Sequence, residues 1–292
     1  MTSNSEITVL LGTQRYRLLK HWLGAEHTRG ISSVAVLSDG SVAVLSRTQP
    51  ALKLFDSMAR PLAEWSIPGL RCAHQLSALP GGGVLVCDVD GHQLIAVDSS
   101  GEVLWQLGRP DQPGWQQPFN HPTHGLVLAN GNLLVSDGYG NSCVHYFDAQ
   151  RRLIRSVGTA GDQPHSRTEV LQRGVPVQFS VPHHITADGK QVFVADRENS
   201  RVVVLDHEGT LLRVIRPMYK PMALAITPEG NLLVSDQTAS LSLFTPDGEL
   251  LGRCRVTAVY GHGLSCDAEG RIFIAEMVPD GLTCLEPILD EP

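Results

Sequence analysis

The chain has 292 residues, of which 42% are apolar and only 18% charged, with 28 glycines and 18 prolines. That mixture allows a substantial core made of many short, tightly turned segments. A net charge of −7 and the lack of any basic block exclude nucleic acid and an anionic membrane surface as main partners, and no segment approaches membrane-spanning length.

The N-terminal MTSNSEITVLLGTQRYRLLKHW lacks the apolar stretch and small-residue cleavage site of a signal peptide, and ITVLLG and YRLLKHW read as strands. Cys72, Cys87, Cys143, Cys254, Cys266 and Cys284 form no CxxC pair and sit mostly in apolar runs, which fits buried free thiols better than a disulfide framework. Both features predict a cytoplasmic protein.

From about residue 30 onward the chain repeats itself. Apolar runs end at Ser46 in VAVLS, Asp88 in VLVCD, Asp137 in LLVSD, Asp196 in VFVAD, Asp236 in LLVSD and Ala275 in IFIAE, at intervals of 42, 49, 59, 40 and 39. The two long intervals hold insertions, GRPDQPGWQQPFN and GTAGDQPHSRTEVLQRGVPVQ. The third copy shows the unit: GLVLA, the Asn130-Gly131 turn, NLLVSD, the loop GYGNS, CVHYFD, the turn AQRR and LIRSVG. Asn-Gly between alternating apolar runs signals a hairpin, and four short strands in about forty residues make a propeller blade. The prediction is an all-β, six-bladed propeller forming one domain over residues 1–292. The last copy is short, so the N-terminal strands are expected to complete it and close the ring, leaving no open edge.

In such a ring, the loop entering a blade's first strand and the loop leaving its second lie on one face. The residue before each first strand therefore stands near the axis. That position, 13 or 14 residues ahead of each anchor, holds Ser32, His74, Thr123, His183, Met222 and His262. Histidine occupies alternate copies, about 120° apart on a six-fold ring, so three imidazoles are expected to converge. Three neutral imidazoles with an open fourth position suit a catalytic zinc ion. His92, His121, His124 and His184 are expected to be loop or supporting groups. The same face offers Arg47 and Arg197, suited to gripping a carboxylate, and Tyr139, a candidate base if its pKa is lowered.

The segments SDGYGNS, QFSVPHHI and VADRENSRVVVLD resemble the NHL-repeat propeller of peptidyl-α-hydroxyglycine α-amidating lyases, with a likeness running from about residue 30 to 277. The resemblance implies a zinc lyase that cleaves an N-acyl-α-hydroxyglycine to an amide and glyoxylate, some members acting on carbinolamides such as ureidoglycolate. It implies His74, His183 and His262 as metal ligands, Tyr139 as the catalytic tyrosine, and Arg47 and Arg197 as the catalytic arginines. The positions of the family's disulfides are Asn120, Gly140, Phe193 and Val204 here, and the acidic residue that helps hold a structural Ca²⁺ is Gly263. The expected partner is a small-molecule or peptide substrate bearing a carboxylate, acted on by a monomer. The alternatives are a non-enzymatic protein-binding propeller, or a lactone hydrolase, whose calcium sites use acidic and amide ligands in place of histidines.

Overall fold

A computed structural model describes residues 7–115, 117–160 and 177–289. Among them are six antiparallel sheets whose innermost strands are Ile31–Val36, Ala73–Ala78, His124–Val127, Pro182–Ala187, Pro221–Ile226 and Gly261–Cys266. Each inner strand touches the next, and the sixth touches the first, so the blades close a ring. The six-bladed propeller expected from the repeat is the observed fold. Second strands such as Val84–Asp88 and Val192–Asp196 are buried along their whole length, because each blade is packed on both faces by its neighbours. Outermost strands such as Val103–Gly108 and Leu153–Val157 face solvent.

The N-terminal strands join the last sheet as expected. Gln14–Leu19 pairs with Asp280–Pro287, and Thr8–Leu11 adds a fifth strand outside it, one more than the repeat predicted. The extra strand crosses the edge of the fifth blade, where a Cβ on Gly252 would stand 2.2 Å from the Gly12 nitrogen. Only glycine allows the two backbones to meet so closely.

The anchor of the sixth copy also needs correction. The residue paired across from the start of the inner strand is Glu276, one position beyond Ala275 (Gly261 with Glu276, as Ala73 with Asp88 and Pro182 with Asp196). Its carboxylate does the same work as the aspartates. Asp88 accepts the N–H of Cys72, Asp137 that of Asn120, Asp196 that of Ser180, Asp236 that of Tyr219 and Glu276 that of Ala258. Each carboxylate thus ties the strand it ends to the loop entering the same blade. Asn141 in GYGNS and Asn199 in RENS brace Asp137 and Asp196, which accounts for an asparagine after the anchor in both copies.

The phenylalanines that open the third and fourth copies, Phe119 and Phe179, are wholly buried between blades. Phe179 lies so near Gly158 (φ +98°) that a Cβ there would meet its ring at 2.4 Å. Phe179→Ala should therefore cost about 3–5 kcal/mol, read as a lower denaturant midpoint at unchanged slope. The insertion before the fourth copy falls mainly on residues 161–176, outside the described residues. Among the described residues all six cysteines are free thiols, and no helix is long and apolar enough to cross a membrane.

Candidate metal centre on the propeller axis

His74, His183 and His262 meet on the axis. Their ring centroids are 4.9 to 5.2 Å apart, and one ligand nitrogen from each lies within 4.8 Å of the others. The local cause is a break in the β-ladder. Pairing of the first two strands skips a residue between Ala73 and Gln75, between Pro182 and His184, and between Gly261 and Gly263. Each histidine is thus the unpaired residue of a β-bulge, which turns its side chain out of the strand's alternation and towards the axis. Ser32 and Met222 occupy matching bulges.

The rings are fixed in one tautomer. Nδ1 of His74 contacts the carbonyl of Thr123 at 2.6 Å, Nδ1 of His183 that of Met222 at 2.7 Å, and Nδ1 of His262 that of Ser32 at 2.8 Å. A carbonyl only accepts, so each Nδ1 carries the hydrogen and each Nε2 presents a lone pair. Burial holds all three imidazoles neutral. The pKa of His74 and His183 is driven well below the ordinary 6.5, with repulsion from a neighbouring imidazole adding to the effect, and that of His262 falls to about 4. Neutral, pre-oriented imidazoles are the form that binds a metal ion.

The Tyr139 hydroxyl stands 3.1 Å from Nε2 of His74 and 3.0 Å from Nε2 of His183, and accepts a hydrogen bond from Arg197 Nη1 at 3.1 Å. One O–H can serve only one of two lone pairs, so the other contact sets lone pair against lone pair. A cation among these atoms removes that conflict, and this is the observation by which the donor set fits a divalent metal. Tyr139 is 41% exposed as a residue, yet its hydroxyl is enclosed by these groups. Burial pushes its pKa above 10, outweighing the lowering by Arg197 and Arg47. The protein's own groups thus raise the tyrosine pKa; the lowering expected from the sequence is for a tyrosine beside both a bound metal and the arginines.

Arg197 also pairs with Glu198 at 2.9 Å, which bridges on to Lys220 at 2.8 Å, and its guanidinium stands 5.2 Å from the centre of the Tyr139 ring. Arg47 is exposed at the rim. Its Nε donates to the Ala73 carbonyl at 3.3 Å, beside His74, and it makes no hydrogen bond to Tyr139. His92, His121, His124 and His184 are not among the three converging rings. His92 and His121 pack edge to face at 4.2 Å, and the His121 carbonyl receives the Tyr139 N–H. His124 and His184 stack at 3.8 Å, and both line the channel.

Burial lowers the pKa of His124 to about 4. Between about 6.5 and 4 the unfolded chain takes up a proton there that the folded chain refuses. Stability therefore falls as pH drops through that window, by roughly 3 kcal/mol for a shift of this size. The thermal midpoint of the metal-free protein should decline steadily from pH 7 to pH 4, and a flat profile would contradict it.

Two further groups bear on metals. Asp137, Cys143 and His145 form a second buried cluster of metal-ligating side chains. There Asp137 is already bonded to Asn120, Asn141 and His145, and His145 Nδ1 to Ser156, so the cluster is a filled blade clasp. Beside Gly263, the buried Gln75 amide donates to the His262 carbonyl at 2.6 Å and accepts from Ser33 at 2.7 Å. A Cβ on Gly263 would meet Ser33 Cα at 2.7 Å, so no acidic side chain fits there without a shift of backbone.

Fold and site together define a six-bladed propeller with three symmetry-related histidines converging on its axis. No family model matches the chain. It is 32% identical over 181 residues to a probable peptidyl-α-hydroxyglycine α-amidating lyase of Caenorhabditis elegans, covering 61% of this chain and 46% of that protein. It is 29% identical over 209 residues to peptidyl-α-hydroxyglycine α-amidating lyase 1 of Drosophila melanogaster, covering 68% of this chain and 38% of that one. The resemblance to amidating lyases is thus shown by curated relatives, and the chain spans less than half the length of each. Among solved structures, a streptogramin B lyase superposes with a TM-score of 0.65 over 96% of this chain and all of that one, at 13% identity. At that identity the likeness shows the propeller fold alone.

Proposed function

We propose that the chain is a metal-dependent carbon–nitrogen lyase acting on an N-acyl-α-hydroxyglycine or a similar small carbinolamide, giving an amide and glyoxylate. The observation that carries this reading is the Tyr139 hydroxyl held between two imidazole lone pairs and Arg197. His74, His183 and His262 would hold the ion, with Zn²⁺ the best match to three neutral imidazoles and another divalent metal an alternative. When bound, such an ion supplies Lewis acidity toward a hydroxyl or carbonyl oxygen and lowers the pKa of groups beside it.

The chain's own residues then divide the work. Arg47 and Arg197 on the rim hold the substrate carboxylate. Tyr139, as phenolate, takes the proton from the carbinol hydroxyl. The O–H electron pair becomes the aldehyde C=O, and the C–N pair leaves on the amide nitrogen. Tyr139 returns its proton to that nitrogen, so the reaction consumes no net proton and no redox partner. Arg197, bonded to the same oxygen, stabilises the phenolate before the first transfer and after the second.

The test is glyoxylate release from N-benzoyl-α-hydroxyglycine and from ureidoglycolate by zinc-loaded protein. Release that is lost on chelation and restored by zinc supports the reading. A folded, zinc-saturated protein inert toward both leaves it without foundation.

A further inference from the structure

The axial ring contains a second set of residues in alternation with the histidines. In blade 1, Ser32 Oγ donates to the carbonyl of His74 at 2.5 Å. In blade 3, Thr123 Oγ1 donates to the carbonyl of Pro182, directly before His183, at 2.6 Å. In blade 5 the axial residue is Met222, which has no hydroxyl, and Ser235 of the neighbouring strand donates to the carbonyl of Gly261, directly before His262, at 2.9 Å. Every histidine bulge is thus clamped by one hydroxyl from the preceding blade. Each histidine in turn extends Nδ1 to the axial carbonyl of the following blade, at Thr123, Met222 and Ser32. The six interactions run once around the axis and return to their start.

All these groups are buried: Ser32, Thr123 and His183 have no exposed surface, and Ser235, His74 and His262 are between 1 and 3% exposed. Water is not available to substitute for a missing hydroxyl, so each bond fixes where a bulge sits. A bulge has no ladder partner of its own, and its direction is set by such outside contacts.

We propose that Ser32, Thr123 and Ser235 are positioning residues of the metal centre: each aims one Nε2 by holding the backbone of the histidine bulge in the next blade. This rests on reading the triad as a metal site. It gives a role to the hydroxyl that each copy without histidine sets on the next blade, on the carbonyl of His74 itself or of the residue directly before His183 and His262.

The experiment measures zinc affinity, by competition with a chromophoric chelator, for the full chain and for Thr123→Val, Ser32→Ala and Ser235→Ala. Outer groups that orient ligands typically contribute 10–100-fold, and a loss of that size is expected in each variant. Thr123→Ser should recover it. Thr257→Val, which removes a buried hydroxyl without a partner, should leave affinity unchanged. Nitrogen-15 shifts of the imidazoles should show one ring per variant losing its pure Nδ1–H tautomer. Variants that bind zinc like the parent, or that lose only thermal stability while affinity and ring shifts stay put, overturn the proposal. Should one variant not fold, the other two carry the test. A parent chain that takes up no zinc overturns the metal reading before any variant is measured, so the two failures are distinguishable.

Discussion

Tyr139→Phe is expected to lower turnover by about 10²–10⁴-fold, the usual contribution of a positioned proton acceptor. At 1.36 kcal/mol per tenfold, this corresponds to roughly 3–5 kcal/mol of transition-state stabilisation. The substitution removes one oxygen and leaves the ring that stands near the Arg197 guanidinium. The carboxylate grip of Arg47 and Arg197 does not depend on that oxygen, so KM should move far less than kcat. Arg197→Lys should raise KM and lower kcat together, since lysine cannot keep a forked grip on a carboxylate and also reach the tyrosine oxygen. The check is steady-state glyoxylate release with both constants resolved. A Tyr139→Phe enzyme with unimpaired kcat would take Tyr139 out of the base role and leave the rest of the site to be explained otherwise.

His183→Ala should have an effect of comparable size on metal binding. Two imidazoles remain, and Tyr139 loses one of its two ring partners. If a structural-type zinc site is worth about 12 kcal/mol, losing one of three protein ligands removes roughly a third of it, or about three orders of magnitude in affinity. The fold should survive, because the cost there is one buried carbonyl, that of Met222, left without its donor, about 1–3 kcal/mol. Circular dichroism unchanged from the parent, with zinc affinity collapsed, is the expected pair of results. Zinc binding equal to the parent would remove His183 from the ligand set.

Much of this was legible in the sequence because rotational symmetry converts spacing into position. Asp88, Asp137, Asp196 and Asp236 mark the same place in four copies, and counting back from them reaches His74, Thr123, His183 and Met222. No local propensity is needed for that step. The β-bulges were not legible, since alternation of apolar residues says which face a strand buries and nothing about a residue left out of the ladder. The same blindness shifted the sixth anchor: IFIAE ends in a glutamate doing an aspartate's work, and a search for the repeated Asp stops one residue early. The hydroxyl clamps were hidden for a different reason. Ser32 and Thr123 stand at the counted position, yet the clamp in blade 5 comes from Ser235 on the second strand, which no repeat alignment would pair with them. Arg197 was legible as a rim cation with Glu198 as a neighbouring partner, but its hydrogen bond to Tyr139 was not, because that contact depends on side-chain directions set by the loop.

The proposed chemistry requires a divalent ion held where the three alternate blades meet. The most direct measurement is an anomalous difference map at the zinc absorption edge, from crystals of the chain reconstituted with one equivalent of zinc. The prediction is one dominant peak on the propeller axis, about 2.0–2.1 Å from Nε2 of His74, His183 and His262 alike. A map with no axial peak, or with the zinc held elsewhere while the three imidazoles keep their places, would contradict it.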